Sequence, residues 1–361
     1  MKRMRLELCL GIDYLLILSV IIFLNIHCKS PSPDKPIELK FATSMPAGHP
    51  ITTDAYEVWA RKVEEATHQR VKITIFPGDT LISPMEAYDA TRKGACDISM
   101  LVQSYKPRRF SLTMVMNQPL DLPNAVVSSK IAWELYQEFP EIRAEYQGVK
   151  LLFFYSTSPY QIHTAKKPIY SRKDLEGLLI RVGGPVDKAI SEALGGVPEF
   201  MHMPDTYLAL GKGVLDAHLS PFGPMKGLRT ADVTRYHLEN ANLHVNIFGI
   251  IMNLKTWNKL PLEVQKAIEK VSGYQGAELF GRVFDETDRE TIQYMKDKGD
   301  IFIHLSPQQK AEWAKFLKSI AADWVEEQEA RGLPGQKILD TALRLKKKYS
   351  VQIERKNSLF F

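Results

Sequence analysis

From residue 37 onward, short apolar runs alternate with segments whose apolar residues recur every three or four positions. That alternation limits the fold more than any other feature of the chain. "IELKFATSM" reads as a strand with Leu39 and Phe41 on one face. "TDAYEVWARKVEEAT" carries Ala55, Val58, Trp59, Val63 and Ala66 at helical spacing. "VKITIF" alternates Val71, Ile73 and Ile75 before turning at Pro77 and Gly78. "PMEAYDATRKG" predicts a helix ended by Gly94, and "CDISML" a further strand. A β-α-β-α-β order needs crossover connections, and so predicts an α/β domain with a largely parallel sheet.

The pattern then recurs without repeating the sequence. "VKLLFFYS", "LLIRV", "VPEFMHM" and "LDAHLS" read as strands, with "PVDKAISEALG" and "PDTYLALGKG" as helices among them. "LHVNIFGIIMNL" is apolar and long enough to reach from one sheet to another. From about residue 261 helices dominate, as one long or one broken helix over 261–299. A last one starts at Pro307, with Trp313, Phe316, Leu317, Ile320 and Trp324 as its stripe. A chain of 361 residues has room for two domains, and 45% hydrophobic with 25% charged residues predicts well-formed cores.

The N-terminus reads as a targeting segment, residues 1–27. Lys2, Arg3 and Arg5 precede an apolar run from Tyr14 to Ile26, too short for a membrane span and suited to a secretory signal. Cys28 follows, then a polar, proline-rich tether over 28–36. A bacterial lipoprotein signal ends in such a cysteine. Here His27 stands where that pattern wants a small residue, and Leu24 sits one place early. Lipidation of Cys28 therefore stays open beside an unmodified cysteine. The other cysteine after the signal, Cys96, reads as a small buried residue, and two cysteines make no metal site. The net charge of +5 falls to +4 without the three basic and two acidic residues of the leader. Lys and Arg are spread along the chain, which argues against nucleic acid as a partner.

No Walker sequence, G-x-G-x-x-G, H-E-x-x-H or G-x-S-x-G occurs, and the histidines do not fall at metal-ligand spacings. The sequence thus names no catalytic residue, metal or cofactor. Its best chemical signal is "LLIRVGG", residues 178–184. Arg181 lies inside an apolar strand, where an unpaired charge is expensive. It faces either a ligand carboxylate, which a guanidinium holds with two hydrogen bonds, or an internal acid such as Asp216 or Glu176. Gly183 and Gly184 favour the first reading, since they let a backbone approach a ligand at a strand end. The helix start near Pro185 adds a dipole that suits an anion. His49, in "SMPAGHP", follows the first strand and would open toward a cleft between two sheets.

The stretch "GLLIRVGGPVDKAISEALGGVPEFMHMPDTYLALGKGVLDAHLSP" resembles the signature of the substrate-binding subunits of tripartite ATP-independent periplasmic (TRAP) transporters. Asp174, Leu175, Gly177, Ile180 and Arg181 fit that family's arginine-bearing strand. Ala193, Leu194, Gly195, Pro198, Met203 and Pro204 fit its second block, and Tyr207, Ala209, Leu210, Gly213, Val214, Asp216 and Pro221 its third. "FATSMPAGHP", "ITIFPGDTL" and "MNLKTWNKLPLEVQKAI" fit as well, so the likeness runs over about residues 38–330.

The resemblance implies a two-lobe, type II-like periplasmic binding protein with a hinge and long C-terminal helices. Its expected lobes are 37–157 with 246–286, and 158–245 with 287–361. It implies no enzyme, but capture of a small organic acid and delivery to TRAP permease subunits from the periplasm. Arg181 would hold the carboxylate, with Gly183 and Met203 beside it. Ser220, Tyr105, Gln161, Phe222, Phe248 and His49 would complete the pocket. Where sialic-acid binders carry a second arginine, "SPYQIHTAKKPI" has Tyr160 and Gln161, which speaks against a sialic acid or a dicarboxylate. With Phe222, Phe248 and Met203 nearby, a monocarboxylate with an apolar or aromatic body is favoured, and lactate-like 2-hydroxy or 2-oxo acids stay open. Membrane association is expected through a lipid on Cys28 alone. Two other readings are a secreted α/β enzyme using His49 as acid or base, and a sensory binding protein that docks a receptor.

Overall fold

The computed structural model describes residues 35–358; the leader and Cys28 lie outside the described residues. Eleven strands form two sheets. The first contains β1 (Ile37–Ala42), β2 (Val71–Phe76), β3 (Ile98–Val102), β4 (Val149–Ser156) and β10 (Ile247–Asn253), in the order β2-β1-β3-β10-β4. Strand β1 runs parallel to β2 and β3, and β10 antiparallel to β3 and β4. The second contains β5 (Gln161–Thr164), β6 (Leu179–Val182), β7 (Val197–Phe200), β8 (Ala217–Ser220), β9 (Tyr236–Leu238) and β11 (Ile301–Ile303), in the order β11-β9-β5-β8-β6-β7.

Helices of seven residues or more are α1 (Glu57–Ala66), α2 (Ala87–Lys93), α3 (Ala125–Glu138), α4 (Pro185–Ala193), α5 (Leu262–Val271), α6 (Gly273–Asp297), α7 (Pro307–Ala330) and α8 (Gly335–Ser358). The first sheet packs α1, α5 and the first half of α6 on one face: Leu39, Phe41, Trp59, Val63, Ile268 and Phe280 share one core. Its other face carries α3 and α8. The helical run after residue 261 is broken, not continuous. Ser272 and Gly273 separate α5 from α6, and Gly273 takes φ +51°, a left-handed conformation costly for any residue with a Cβ.

The chain passes between the sheets at 157–160 and again at 243–246. These two segments pair with each other: Thr157 N donates to Asn246 O at 2.9 Å and Tyr160 N to His244 O at 2.8 Å. The apolar run expected to span both sheets is therefore strand in the first sheet only, preceded by this crossing. Helix α6 is a third link. Phe280 and Phe284 join the first core, whereas Met295 packs with Phe222 and Met225 beneath the second sheet. Helix α7 is a fourth. "SPQQ" starts it with a capping box between Ser306 and Gln309. Its Trp313 and Leu317 enter the core of the second sheet, and its Trp324 the core on the α3 and α8 face of the first sheet. Phe316, read as part of that stripe, is exposed and lies under the Arg172 guanidinium at 4.8 Å.

Candidate functional site

Between the sheets lies a cleft of about 500 Å³. Strands β3 and β10 and the loops after β1 and β2 form one wall; β6 and the segments after β7 and β8 form the other. Of the residues proposed from sequence, Arg181, Gly183, Met203, Tyr105, Phe248 and His49 all line it. The crossing segments add Thr157, Tyr160 and Asn246, whose Nδ2 donates to Tyr160 Oη at 2.6 Å.

Among the described residues, Arg181 is the sole Lys or Arg in the cleft lining. It is 5% exposed, and Nε donates to Met201 O at 2.8 Å. The guanidinium lies over Gly183: a Cβ there would come within 2.9 Å of Nη2. Gly183 is therefore small to make room for the arginine head, rather than to bring backbone up to a ligand. The internal acids weighed above are engaged elsewhere. Glu176 faces Arg172 at 3.4 Å, and Asp216 accepts from Leu179 N at 3.0 Å. Among the described residues no carboxylate approaches Arg181 within 4.0 Å.

The N-terminus of α4 carries an acid of its own, while no side chain caps its first N–H groups. Asp187, in its first turn, accepts from Gly183 N at 2.7 Å and sits 2.9 Å from His244 Nε2. Burial alone would raise the Asp187 pKa. His244, with Arg181 and the Gly183 N–H, outweighs that and holds it below the usual value. The chain's own carboxylate thus braces the turn that follows Arg181.

Opposite Arg181 the wall is aromatic and apolar. Tyr155 stacks on Phe248 at 5.1 Å, and Phe248 on Phe284 at 6.5 Å with their planes 10° apart. Phe284 was not legible as a site residue. It continues the stripe Ala277, Phe280, Phe284 on α6, a spacing indistinguishable from core. Burial raises the Tyr105 pKa, opposed by Arg181 and aided by Asp79, so its hydroxyl lies within the field of both charges. His49 Nδ1 accepts from Ile51 N at 3.1 Å, which leaves Nε2 to carry the proton; burial pulls its pKa down and keeps the ring neutral.

Three expected residues lie outside the cleft. Gln161 Oε1 accepts from Ala241 N at 2.7 Å and Asn242 N at 3.2 Å, bracing the second crossing. Ser220 is buried and turns its hydroxyl to Pro221 O at 2.7 Å, so that Pro221 meets the cleft instead. Phe222 fills a satellite core, stacked on Phe302 at 5.9 Å. Cys96 is buried, as read, with Sγ 3.4 Å from Thr91 Oγ1.

Two α/β lobes, linked by paired crossings and enclosing a cleft with one buried arginine, define a two-lobe solute-binding protein. The chain belongs to the bacterial extracellular solute-binding protein family 7 (DctP), whose model matches residues 41–328. It is similar to the C4-dicarboxylate-binding periplasmic protein DctP of Rhodobacter capsulatus, 24% identical over 84% of this chain and 91% of that one. It is also similar to a TRAP solute-binding protein from Rhodoferax ferrireducens solved with copurified benzoate. That likeness has 26% identity, a TM-score of 0.82, and covers 88% of this chain and 99% of the other. A Bordetella bronchiseptica TRAP protein solved with mandelate gives 26% identity and a TM-score of 0.80, covering 87% and 100%. The chain is thus a TRAP-type extracytoplasmic solute-binding protein that captures a small organic acid for a membrane permease. None of the described helices is long and apolar enough to cross a membrane.

Proposed function

We propose that the captured acid is a monocarboxylate with an aromatic or similarly flat apolar body. The observation that carries this is the single cation of the cleft: among the described residues Arg181 stands alone among Lys and Arg in the lining and has no carboxylate within 4.0 Å. A second carboxylate on the ligand would meet no cation, and Asp79, also in the lining, would repel it. The stacked Phe248 and Phe284 suit the body, because offset stacking adds to the burial of a flat ring. The benzoate and mandelate held by the Rhodoferax and Bordetella proteins agree with this chemistry.

In this reading Arg181 takes the carboxylate, Tyr105 and His49 supply donors from the opposite lobe, and Met203 packs on the body. The lobes are proposed to divide at 157/158 and 245/246, supported by the strands each sheet takes; α8 is better grouped with the first lobe, on whose core it packs. Attachment to the membrane is proposed through a lipid on Cys28, supported by the apolar run, cysteine and tether of the sequence. The mass of the mature N-terminus reads that directly.

The test of the ligand is mass spectrometry of the acid that co-purifies, followed by calorimetry with benzoate, mandelate and succinate. The expected result is an aromatic monocarboxylate and an order of affinity with succinate last. Copurified dicarboxylate, or succinate bound more tightly than benzoate, overturns the proposal.

A further inference from the structure

Four neighbouring strands of the second sheet place one residue each in a single transverse row. Arg181 on β6 stands in register with His218 on β8, His218 with His163 on β5, and His163 with His237 on β9. All four side chains are buried, the three histidines fully. Beyond the row's far end lies Asp300, whose carboxylate is 1% exposed. Lys298 at 2.9 Å, His237 Nε2 at 3.2 Å and Arg235 at 3.8 Å surround it. The sheet thus carries a buried cation at one end of a row and a buried acid at the other. Strands lie about 4.8 Å apart, so three strand spacings, with His218 and His163 between, hold Arg181 roughly 14 Å from His237, the ring that meets Asp300.

Two of those imidazoles are engaged. His163 Nδ1 lies 3.0 Å from His237 Nδ1, and His163 Nε2 lies 3.0 Å from Ser220 O. His218, next to the arginine, differs: both of its ring nitrogens are buried with no partner among the described residues. A buried polar group without a partner is costly, so packing alone is a poor account of a histidine here. Its charge state fits the place. Burial, then Arg181, then His237 push its pKa down to about 3, and the ring stays neutral at any physiological pH.

We propose that His218 is a positioning residue for ligand capture: it fills the place beside Arg181 from which an acid would neutralise the arginine, and so leaves that charge to be answered by the ligand carboxylate. The inference rests on the reading of Arg181 as the carboxylate group's partner. It adds that the second sheet is arranged to deny Arg181 a directly bridging acid, Asp187 on α4 reaching it through the field alone.

Glutamine and glutamate have the same shape and differ in charge, so His218→Gln and His218→Glu separate neutrality from packing. Benzoate titrated by calorimetry is the probe, with thermal unfolding of each variant measured without ligand. His218→Gln is expected to bind within about threefold of the wild type. His218→Glu is expected to bind about 30-fold more weakly or worse, the loss that follows when one member of a buried charge pair is withdrawn. It should also be at least as heat-stable as His218→Gln, because the new carboxylate gains Arg181. Equal binding by the two variants overturns the proposal. So does a His218→Gln variant that binds as weakly as His218→Glu or fails to fold, since shape would then matter rather than charge. A His218→Glu variant that unfolds while His218→Gln folds overturns it as well. If the wild type itself binds no benzoate, the proposed ligand falls, and this inference with it.

Discussion

Replacing Arg181 with glutamine keeps a polar side chain on β6 and removes the charge, and the structure fixes two consequences. The first concerns binding. Arg181 is 5% exposed, its Nε donates to Met201 O at 2.8 Å, and its head lies over Gly183. It is therefore preorganised, and a ligand carboxylate that meets it loses little to side-chain ordering. Withdrawing one member of such a buried pair costs ~2–5 kcal/mol. At about 1.4 kcal/mol per factor of ten, benzoate affinity should fall by about 30-fold to a few thousandfold. The second concerns stability, and it separates the two readings of this residue. Breaking an internal buried salt bridge costs ~3–5 kcal/mol. At roughly 2 °C per kcal/mol in a chain of this size, that is a loss of about 6–10 °C in Tm. Among the described residues no carboxylate lies within 4.0 Å of Arg181, so glutamine breaks no direct bridge; Asp187 loses only the field of the guanidinium and keeps His244 and the Gly183 N–H, and Tm should fall by clearly less than that. Calorimetry with benzoate and an unfolding scan of the unliganded variant read both quantities. A variant that loses about 6 °C or more while its folded fraction still binds benzoate normally would refute the reasoning.

Gly183→Ala should weaken benzoate by about tenfold while leaving Tm nearly unchanged, because the new Cβ displaces the flexible end of Arg181 rather than backbone. Calorimetry and an unfolding scan again suffice. Asp288, on α6, accepts from Gly223 N at 2.6 Å; burial raises its pKa from 3.8 to about 7, with Gly223 opposing and Asp285 adding to the rise. A raised folded value means the ionised form is penalised, so stability is lost as pH climbs from 3.8 through about 7. Asp288→Asn should therefore match the wild type in Tm at pH 4 and exceed it at pH 8; a gap that stays constant with pH contradicts the assignment. Phe280 is fully buried against Tyr56, Phe153 and Tyr155 with ring centroids at 5.3, 5.0 and 4.8 Å. Phe280→Ala should cost ~3–5 kcal/mol in denaturant unfolding.

What could be read from the sequence follows from how far each signal reaches. Leu39 and Phe41, or Val71 and Ile73, alternate with polar residues, and all four prove buried. Arg181 was legible because one charge in an apolar strand stands out against its neighbours. Ser220 and Phe222 were misplaced for a local reason: they flank Pro221, and successive residues at a strand end point to opposite sides. Phe222 then goes down to Met295 and Phe302, contacts made from more than 70 residues away, which no local pattern displays. Gln161 was expected at the ligand because an arginine was missing nearby, yet it holds the backbone of Ala241 and Asn242 across the crossing. Phe284 was missed because a helical apolar stripe looks the same whether its end faces a core or a cleft.

The placement of the binding groups bears on how capture becomes closure. The proposed carboxylate partner, Arg181, belongs to the second sheet, whereas the aromatic pair Phe248 and Phe284 is built on the first core. A ligand shifts a two-state equilibrium only through contacts that differ between the states. An acid touching Arg181 alone gains nearly the same contacts with the lobes apart or together, and so does not favour closure. An acid with a body long enough to reach Phe248 gains the second set only when the lobes approach. Across the paired crossings at 157–160 and 243–246, that surplus is what turns one lobe toward the other. Ligand length, rather than carboxylate affinity, is then the quantity the receptor converts into motion. Acetate, which satisfies the arginine but cannot span the cleft, should occupy Arg181 at high concentration without shrinking the radius of gyration, while benzoate shrinks it. Equal compaction by both acids would place the closing force in Arg181 itself.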